Sequence, residues 1–196
     1  MNLTLFYGSR RPRGRWYRAS WLRPGSGHAP RGQALVEFAL ILPILMLLVT
    51  GLLQFGILLS GQIAFVNGVR EAARFGSVLQ TADTAQADAN GAAVNARLRE
   101  VLAAGLPGYA AARLVNVQTC YVGYLNPGSS PAAYSVKLTI SAAYRHELFV
   151  PIIAPMLDPL DGAGDGDFRL SASEIFRVEN PPLTTNPLTT PRCVTT

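Results

Sequence analysis

The sequence predicts an α+β protein: one long N-terminal transmembrane helix that continues into a small outward-facing domain, with a second helix and a three- to four-stranded antiparallel sheet. Three observations carry that prediction. Phe38–Leu59 is a run of 22 residues without a formal charge, fifteen of them Leu, Ile, Val or Phe. The stretch that follows, to about residue 104, is rich in Ala and Gly and is broken once, at Thr81–Gln86. After it, three segments alternate apolar and polar residues in the manner of half-buried strands. The boundaries drawn from these patterns are a leader (1–31), a membrane helix with an amphipathic extension (32–80), an extracytoplasmic α+β domain (81–179) and a Pro/Thr-rich tail (180–196).

The leader holds Arg10, Arg11, Arg13, Arg15, Arg18, Arg23 and Arg31 with no Asp or Glu, and shows no periodicity. It reads as a disordered cytoplasmic segment. The remaining 165 residues carry 10 basic and 12 acidic side chains, so the net charge of +5 belongs to the leader alone. That asymmetry places the N-terminus in the cytoplasm and the C-terminal domain outside. It also argues against nucleic acid as a partner, because the main domain has no basic excess.

At about 1.5 Å per residue the apolar run makes a helix of roughly 33 Å, enough for a hydrocarbon core of about 30 Å. Its aliphatic and Phe side chains contribute about −4 to −9 kcal/mol to insertion, before the costs of Pro43, Thr50, Gln54 and the glycines. A lipid bilayer is therefore the first partner the sequence implies. A signal peptide on an exported domain is the alternative, opposed by the length of the run and the lack of a small-residue cleavage site after it.

From the end of the run onward, small residues recur every fourth place: Gly56, within it, then Ser60, Ala64, Gly68, Ala72 and Gly76. Small residues at this spacing let another helix approach closely. The row drifts by about 40° per step because a helix turns every 3.6 residues, so it forms a ridge winding around the helix. Arg70, Glu71 and Arg74 read as a solvated face, with local Glu71–Arg74 pairing. Asp83 or Thr84 caps a second helix, Ala85–Ala104, whose expected inner face is Ala89, Ala92, Ala93, Ala96, Val101 and Leu102.

Arg113–Tyr124 alternates Val115, Val117, Thr119 and Tyr121 against Leu114, Asn116 and Gln118, and reads as a strand. Asn126–Pro131 is a turn. Tyr134–Tyr144 is a second strand, with Val136, Leu138 and Ile140 on one face, so that the pair forms an antiparallel hairpin. Residues 145–158 carry the apolar stretch FVPIIAPML, too short and too broken by Pro151 and Pro155 to cross a membrane, and read as an extended or short helical connection. Phe168–Val178 is a third strand, with Leu170, Ala172, Glu174, Phe176 and Val178 on one face. The tail from residue 180 reads as loose.

The residues offer little chemistry. Asp158, Asp161, Asp165 and Asp167 fall within ten residues among three glycines, an oxygen-rich loop of the kind hard cations favour. The pattern lacks a closing Glu, so a solvated turn is preferred to a metal site. His28 and His146 fall on opposite sides of the membrane in this topology, and neither a P-loop nor a GxGxxG motif is present. An enzyme is not expected, and no cofactor is implied. Cys120 and Cys193 both fall on the outer side, where a disulfide is permitted. A bridge between them would tether the tail to the sheet, but sequence cannot set their separation.

The remaining signal is at the head of the helix: Arg31, Gly32, Gln33, then Glu37 and Phe38, then the apolar run. A cut after Gly32 would leave the α-amino group of Gln33 at the helix start and Glu37 as the fifth residue. A carboxylate in the first turn is favoured by the helix dipole and could neutralise an amine of its own or a neighbouring chain. This order resembles the class III signal of type IV-like prepilins. The wider stretch RGQALVEFALILPILMLLVTGLLQFG, with VREAARFGSV and FRLSASEIFRVEN, is similar to the TadE-like family of the Tad/Flp tight-adherence pilus system. The resemblance implies a pilin-like architecture and a single-pass minor pilin or pseudopilin in the bacterial cytoplasmic membrane, taking part in pilus assembly and cell adhesion. It implies a prepilin peptidase acting at Gly32–Gln33, Glu37 and Phe38 as assembly and register residues, and other pilins, pseudopilins and Tad assembly-platform proteins as partners.

Overall fold

The computed structural model describes residues 32–150, 154–162, 165–179 and 183–196. The expected leader, 1–31, lies outside the described residues. The chain divides into two compact units, Met1–Ile44 and Leu45–Thr196. One helix, α1 (Gln33–Ser77), contributes to both. In the first unit, Gly32 occupies a turn and its carbonyl accepts from Val36 N at 3.1 Å, after which Gln33–Ile44 are helical and exposed.

In the second unit α1 acquires an inner face. Gln54, Leu58, Gly61, Phe65, Gly68, Val69, Ala72, Ala73, Gly76 and Ser77 are buried. Their spacing of three and four residues is that of one helical stripe. The next helix, α2 (Thr84–Gly105), starts at Asp83, whose carboxylate accepts from Gln86 N at 2.8 Å. Gln86 Oε1 accepts in turn from Ala82 N at 2.9 Å, so side chains satisfy backbone donors at both sides of the cap. The helix ends at Leu106, beyond which Pro107 cannot continue it.

The inner face of α2 is not the expected one. Ala87, Gly91, Val94, Asn95, Leu98 and Leu102 are buried, whereas Ala89, Ala92 and Ala96 are exposed, and Ala93 and Val101 are half-buried. Of the expected set only Leu102 is inside. Alanine is too small and too neutral to mark a face, and the choice falls to the larger Val94 and Leu98 together with two contacts that sequence does not display. A Cβ on Gly91 would stand 2.8 Å from Val194 Cγ2, so this glycine admits a C-terminal strand. Asn95 Oδ1 accepts from Thr119 Oγ1 at 2.6 Å inside the core.

A short 3-10 turn, Ala111–Arg113, leads into the sheet. The strands are β1 (Leu114–Leu125), β2 (Tyr134–Glu147), β3 (Asp167–Arg177) and β4 (Arg192–Thr195), with an eight-residue helix α3 (Ala154–Asp161) between β2 and β3. The order is β3-β2-β1-β4, all antiparallel. The α+β class is as expected, with the fourth strand supplied by the tail. The tail is therefore not loose over its last residues: Arg192–Thr195 pairs with Gln118–Tyr121. Pro and Thr richness signals poor helix and poor core, but four residues held at a sheet edge need neither.

The strand faces follow the alternation. Val117, Thr119 and Tyr121 of β1, Val136, Leu138 and Ile140 of β2, and Leu170 of β3 are buried beneath the helices. A register shift between Val115 and Gln118 leaves Asn116 at φ 54°, a conformation Asn tolerates better than most residues. Contacts with the sheet run in order along α1. Phe65 faces Tyr144 with ring centroids 6.3 Å apart, Arg70 pairs with Glu174 at 2.7 Å, and Ser77 O accepts from Glu179 N at 2.7 Å. Tyr121 donates to Gly76 O at 3.3 Å, and its burial raises the phenol pKa, keeping it a neutral donor.

Candidate assembly surface

The head of α1 exposes the residues singled out by the sequence. Gln33 and Glu37 lie one turn apart on one helical face, and Gln33 Nε2 donates to Glu37 Oε1 at 2.9 Å. Phe38 is exposed beside them, and nothing stands within 4 Å of a Cβ placed on Gly32. Gly32 is therefore sterically accessible among the described residues, and its carbonyl holds only the first helical bond.

The row of small residues is divided by the fold. Gly68, Ala72 and Gly76 are buried inside this chain's own domain. A Cβ on Gly68 would stand 2.6 Å from Leu102 Cδ2, and one on Gly76 would stand 2.5 Å from Leu138 Cδ2 and 2.6 Å from Val94 Cγ2. These positions are small so that α2 and the sheet can seat on α1: the helix admitted at Gly68 is this chain's own α2. Gly56 and Ser60 remain exposed, with nothing within 4 Å of a Cβ on Gly56. Ala64 is half-buried at the edge of a shallow groove of about 630 Å³ that Ser60, Asn67, Val101 and Gly105 also line.

The charged face of α1 is solvated as expected, but its partners are distant in sequence. Arg70 reaches Glu174, and Glu71 pairs with Arg97 of α2 at 3.6 Å instead of with Arg74. These partners come from α2 and from β3, which a local helical pairing rule cannot anticipate.

Two features were missed by sequence reasoning. Gln54, in the midst of the apolar run, is buried, and its Oε1 accepts from Phe149 N at 3.0 Å. Its Nε2 has no hydrogen-bond partner among the described residues. A single amide within an apolar stretch was the available signal, and it marks where the domain begins to touch the helix. The second is Arg192, which pairs bidentately with Asp88 of α2 and holds β4 across the helix. This hydrogen bond holds the Asp88 carboxyl below its ordinary range, and the same contact raises Arg192.

Cys120 and Cys193 lie opposite one another in the β1–β4 register with Cα atoms 4.1 Å apart, and they are joined by a disulfide across 73 residues of chain. The acidic stretch is only partly described, since the side chains of Asp158 and Asp161 lie outside the described residues. Asp165 accepts from Asp167 N at 3.2 Å and stands 3.8 Å from Arg145, a local turn with a basic neighbour. Among the described residues no three His, Cys, Asp or Glu side chains gather as a metal site. His146 is buried with Nδ1 3.0 Å from Glu147 O, beside Gly61 of α1, and no nucleophile or carboxylate pair is described with it.

Among the described residues, α1 is the helix long and apolar enough to cross a membrane, and the apolar side chains from Leu35 to Leu53 are exposed along it. Residues 32–74 match the family described as TadE-like protein. The match spans the head of α1, the apolar run and all of the buried stripe but Gly76 and Ser77. The matched residues thus include the whole apolar run of the helix that is long enough to cross a membrane. No curated protein and no solved structure matches the chain.

Proposed function

With residues 32–74 of this chain TadE-like, we propose that it is a single-pass membrane subunit of a Tad/Flp-type pilus machinery, a minor pilin or pseudopilin. In this role α1 crosses the cytoplasmic membrane with its N-terminus inside, and the α+β domain stands outside. The observation that carries the proposal is the coincidence of the TadE-like match with a helix whose first two dozen residues expose almost only apolar side chains. Exposed Leu, Ile and Phe on this scale need lipid or other helices to cover them.

Processing after Gly32 would replace the Gly32 carbonyl at the helix start with the charged amine of Gln33. Glu37, already on the Gln33 face, would then lie one turn from that amine or from the same amine of a neighbouring subunit. Pairing there offsets the cost of a carboxylate in lipid and fixes the axial register of packed helices. Other pilins, pseudopilins and assembly-platform proteins are the partners of that packing, and a prepilin peptidase supplies the cut. The cysteine bridge suits a domain on the oxidising side of the membrane.

The test is the N-terminal residue of the mature chain in membrane fractions, read by mass spectrometry, together with pilus output from Glu37→Gln. The expected results are a start at Gln33 and a loss of pili with normal membrane insertion. A start beyond Leu59 identifies an exported domain and removes the proposal. Normal pilus output from Glu37→Gln removes the register role.

A further inference from the structure

We propose that the β2–β3 connection is a membrane-docking element: Phe149 and the Met156/Leu160 face of α3 seat in the headgroup region of the leaflet on the domain's side. The proposal presupposes that α1 crosses a bilayer.

The first observation is one of level. Phe149 N donates to Gln54, so the backbone that leaves β2 touches α1 at residue 54. Gln54 lies inside the apolar run, five residues before its last aliphatic residue, Leu59, or about 7.5 Å along the helix axis. A bilayer that accepts the apolar run therefore meets this connection. A hydrocarbon core needs about 20 residues, and counting back from Gln54 reaches Leu35, close to Glu37. The apolar residues beyond Gln54, Ile57, Leu59 and Ile63, are exposed at the same end of the domain.

The second observation is chemical. Residues 148–160 read LFVPIIAPMLDPL between two polar-faced strands. Phe149 is 60% exposed, Met156 69% and Leu160 73%. Met156 and Leu160 are four apart and share one face of α3, while Leu157 is half-buried and α3 packs on β3. An eight-residue helix with Pro159 inside it is marginal in water by itself. A short helix with one apolar face turned outward, beside a membrane span, has the features of an interfacial element. The described flanks of the connection, Glu147 and Asp167, pair with each other at the sheet end nearest Gln54.

The consequence is a domain held to the bilayer at two places, the span and α3, which restrains its tilt and rotation. The test uses the full chain with Trp16→Phe and Trp21→Phe, inserted in phosphatidylethanolamine/phosphatidylglycerol vesicles. Single reporters are placed at Met156→Trp, Leu160→Trp, Leu47→Trp within the span and Ile175→Trp on the exposed sheet face. The expected result is emission at 156 and 160 that shifts to shorter wavelength and is lost with lipid brominated near the headgroup. Leu47→Trp is lost with lipid brominated deep in the chains, and Ile175→Trp with neither. If 156 and 160 behave like 175 while 47 is quenched, the docking is refuted and the membrane span stands. If 47 is not quenched, the span itself fails and the docking falls with it. Hydrogen exchange of 154–162 in wild-type vesicles needs no reporter: slow exchange that becomes fast in Met156→Glu/Leu160→Glu supports docking, and fast exchange in the wild type overturns it.

Discussion

Reduction of the Cys120–Cys193 bridge gives the domain's stability a quantitative test. The bridge closes a loop of 73 residues. Restricting the unfolded chain by such a loop removes about 15 cal/mol/K of entropy, or about 4.4 kcal/mol at 25 °C. The cysteines face each other in the β1–β4 register, so the bridge joins strands that are already paired. With a urea slope of about 2 kcal/mol/M, the unfolding midpoint should fall by about 2 M on reduction. The assay is a urea titration of the full chain in detergent, followed by circular dichroism, with and without reductant. Cys120→Ser/Cys193→Ser should match the reduced wild type and be indifferent to reductant. The loss should be felt first at β4, where Val194 lies over Gly91 and Arg192 reaches Asp88. A midpoint that moves by less than about 0.5 M on complete reduction refutes the loop-entropy account.

Other expectations separate the fold from assembly. Gly76→Val should cost about 1–3 kcal/mol, seen as a lower urea midpoint, because its side chain collides with Leu138 and Val94. Gly56→Val, in open space, should leave the midpoint unchanged and reduce only incorporation into pili. Gln54→Leu removes the acceptor of Phe149 N and should speed hydrogen exchange at Phe149 while leaving the β1–β2 amides protected. The Asp88 carboxyl has a lowered pKa through its hydrogen bond with Arg192, so its contribution is present above the unfolded value of about 3.9 and is lost as pH falls through the lowered folded one. Asp88→Asn should therefore be less stable than the wild type at pH 7, with the gap closing as pH falls below the unfolded value of about 3.9 and through the lowered folded one in paired urea titrations.

The parts of the fold that were legible are those where side-chain chemistry has a period. The apolar run gives a helix because nothing else satisfies its backbone in lipid, and β1, β2 and β3 alternate because one face of each is buried. The inner face of α2 was illegible because alanine predominates on every side of it, so the decision rests on Gly91, Asn95 and the approach of β4. The strand at 192–195 was hidden because its pairing is fixed by Cys193 and Arg192, whose partners lie 73 and 104 residues away. Gly32, Gln33 and Glu37 were singled out by their order, since a carboxylate at the edge of an apolar run is costly without a purpose, and the processing and register roles given to them are proposals. Gln54 was not, because a lone amide in such a run has several tolerable fates, and the one adopted depends on a loop nearly a hundred residues away.

The division of the small-residue ridge has a consequence for how this helix can pack with others. A ridge of six small residues at four-residue spacing suggests one continuous contact, but three of them are filled by Leu102, Val94 and Leu138 of the same chain or buried beside them. A partner helix therefore has Gly56 and Ser60 to approach, with Ala64 at the margin, and nothing small beyond them. These positions lie just past Gln54, where the domain begins to cover the opposite stripe of α1. Close helix contact is thus confined to the apolar run and the turn that follows it, and the domain cannot be threaded further into a bundle without unseating α2. A partner that required contact at Gly68 or Gly76 would have to open the core containing Phe65, Val69, Leu98 and Ile140. Substitutions at Gly56 and Ser60 should therefore alter assembly at constant stability, whereas those at Gly68 and Gly76 should lose assembly only in proportion to lost folding. The two classes are distinguished by plotting pilus output against urea midpoint for the same variants, and a Gly76 variant that folds normally yet fails to assemble would break the division.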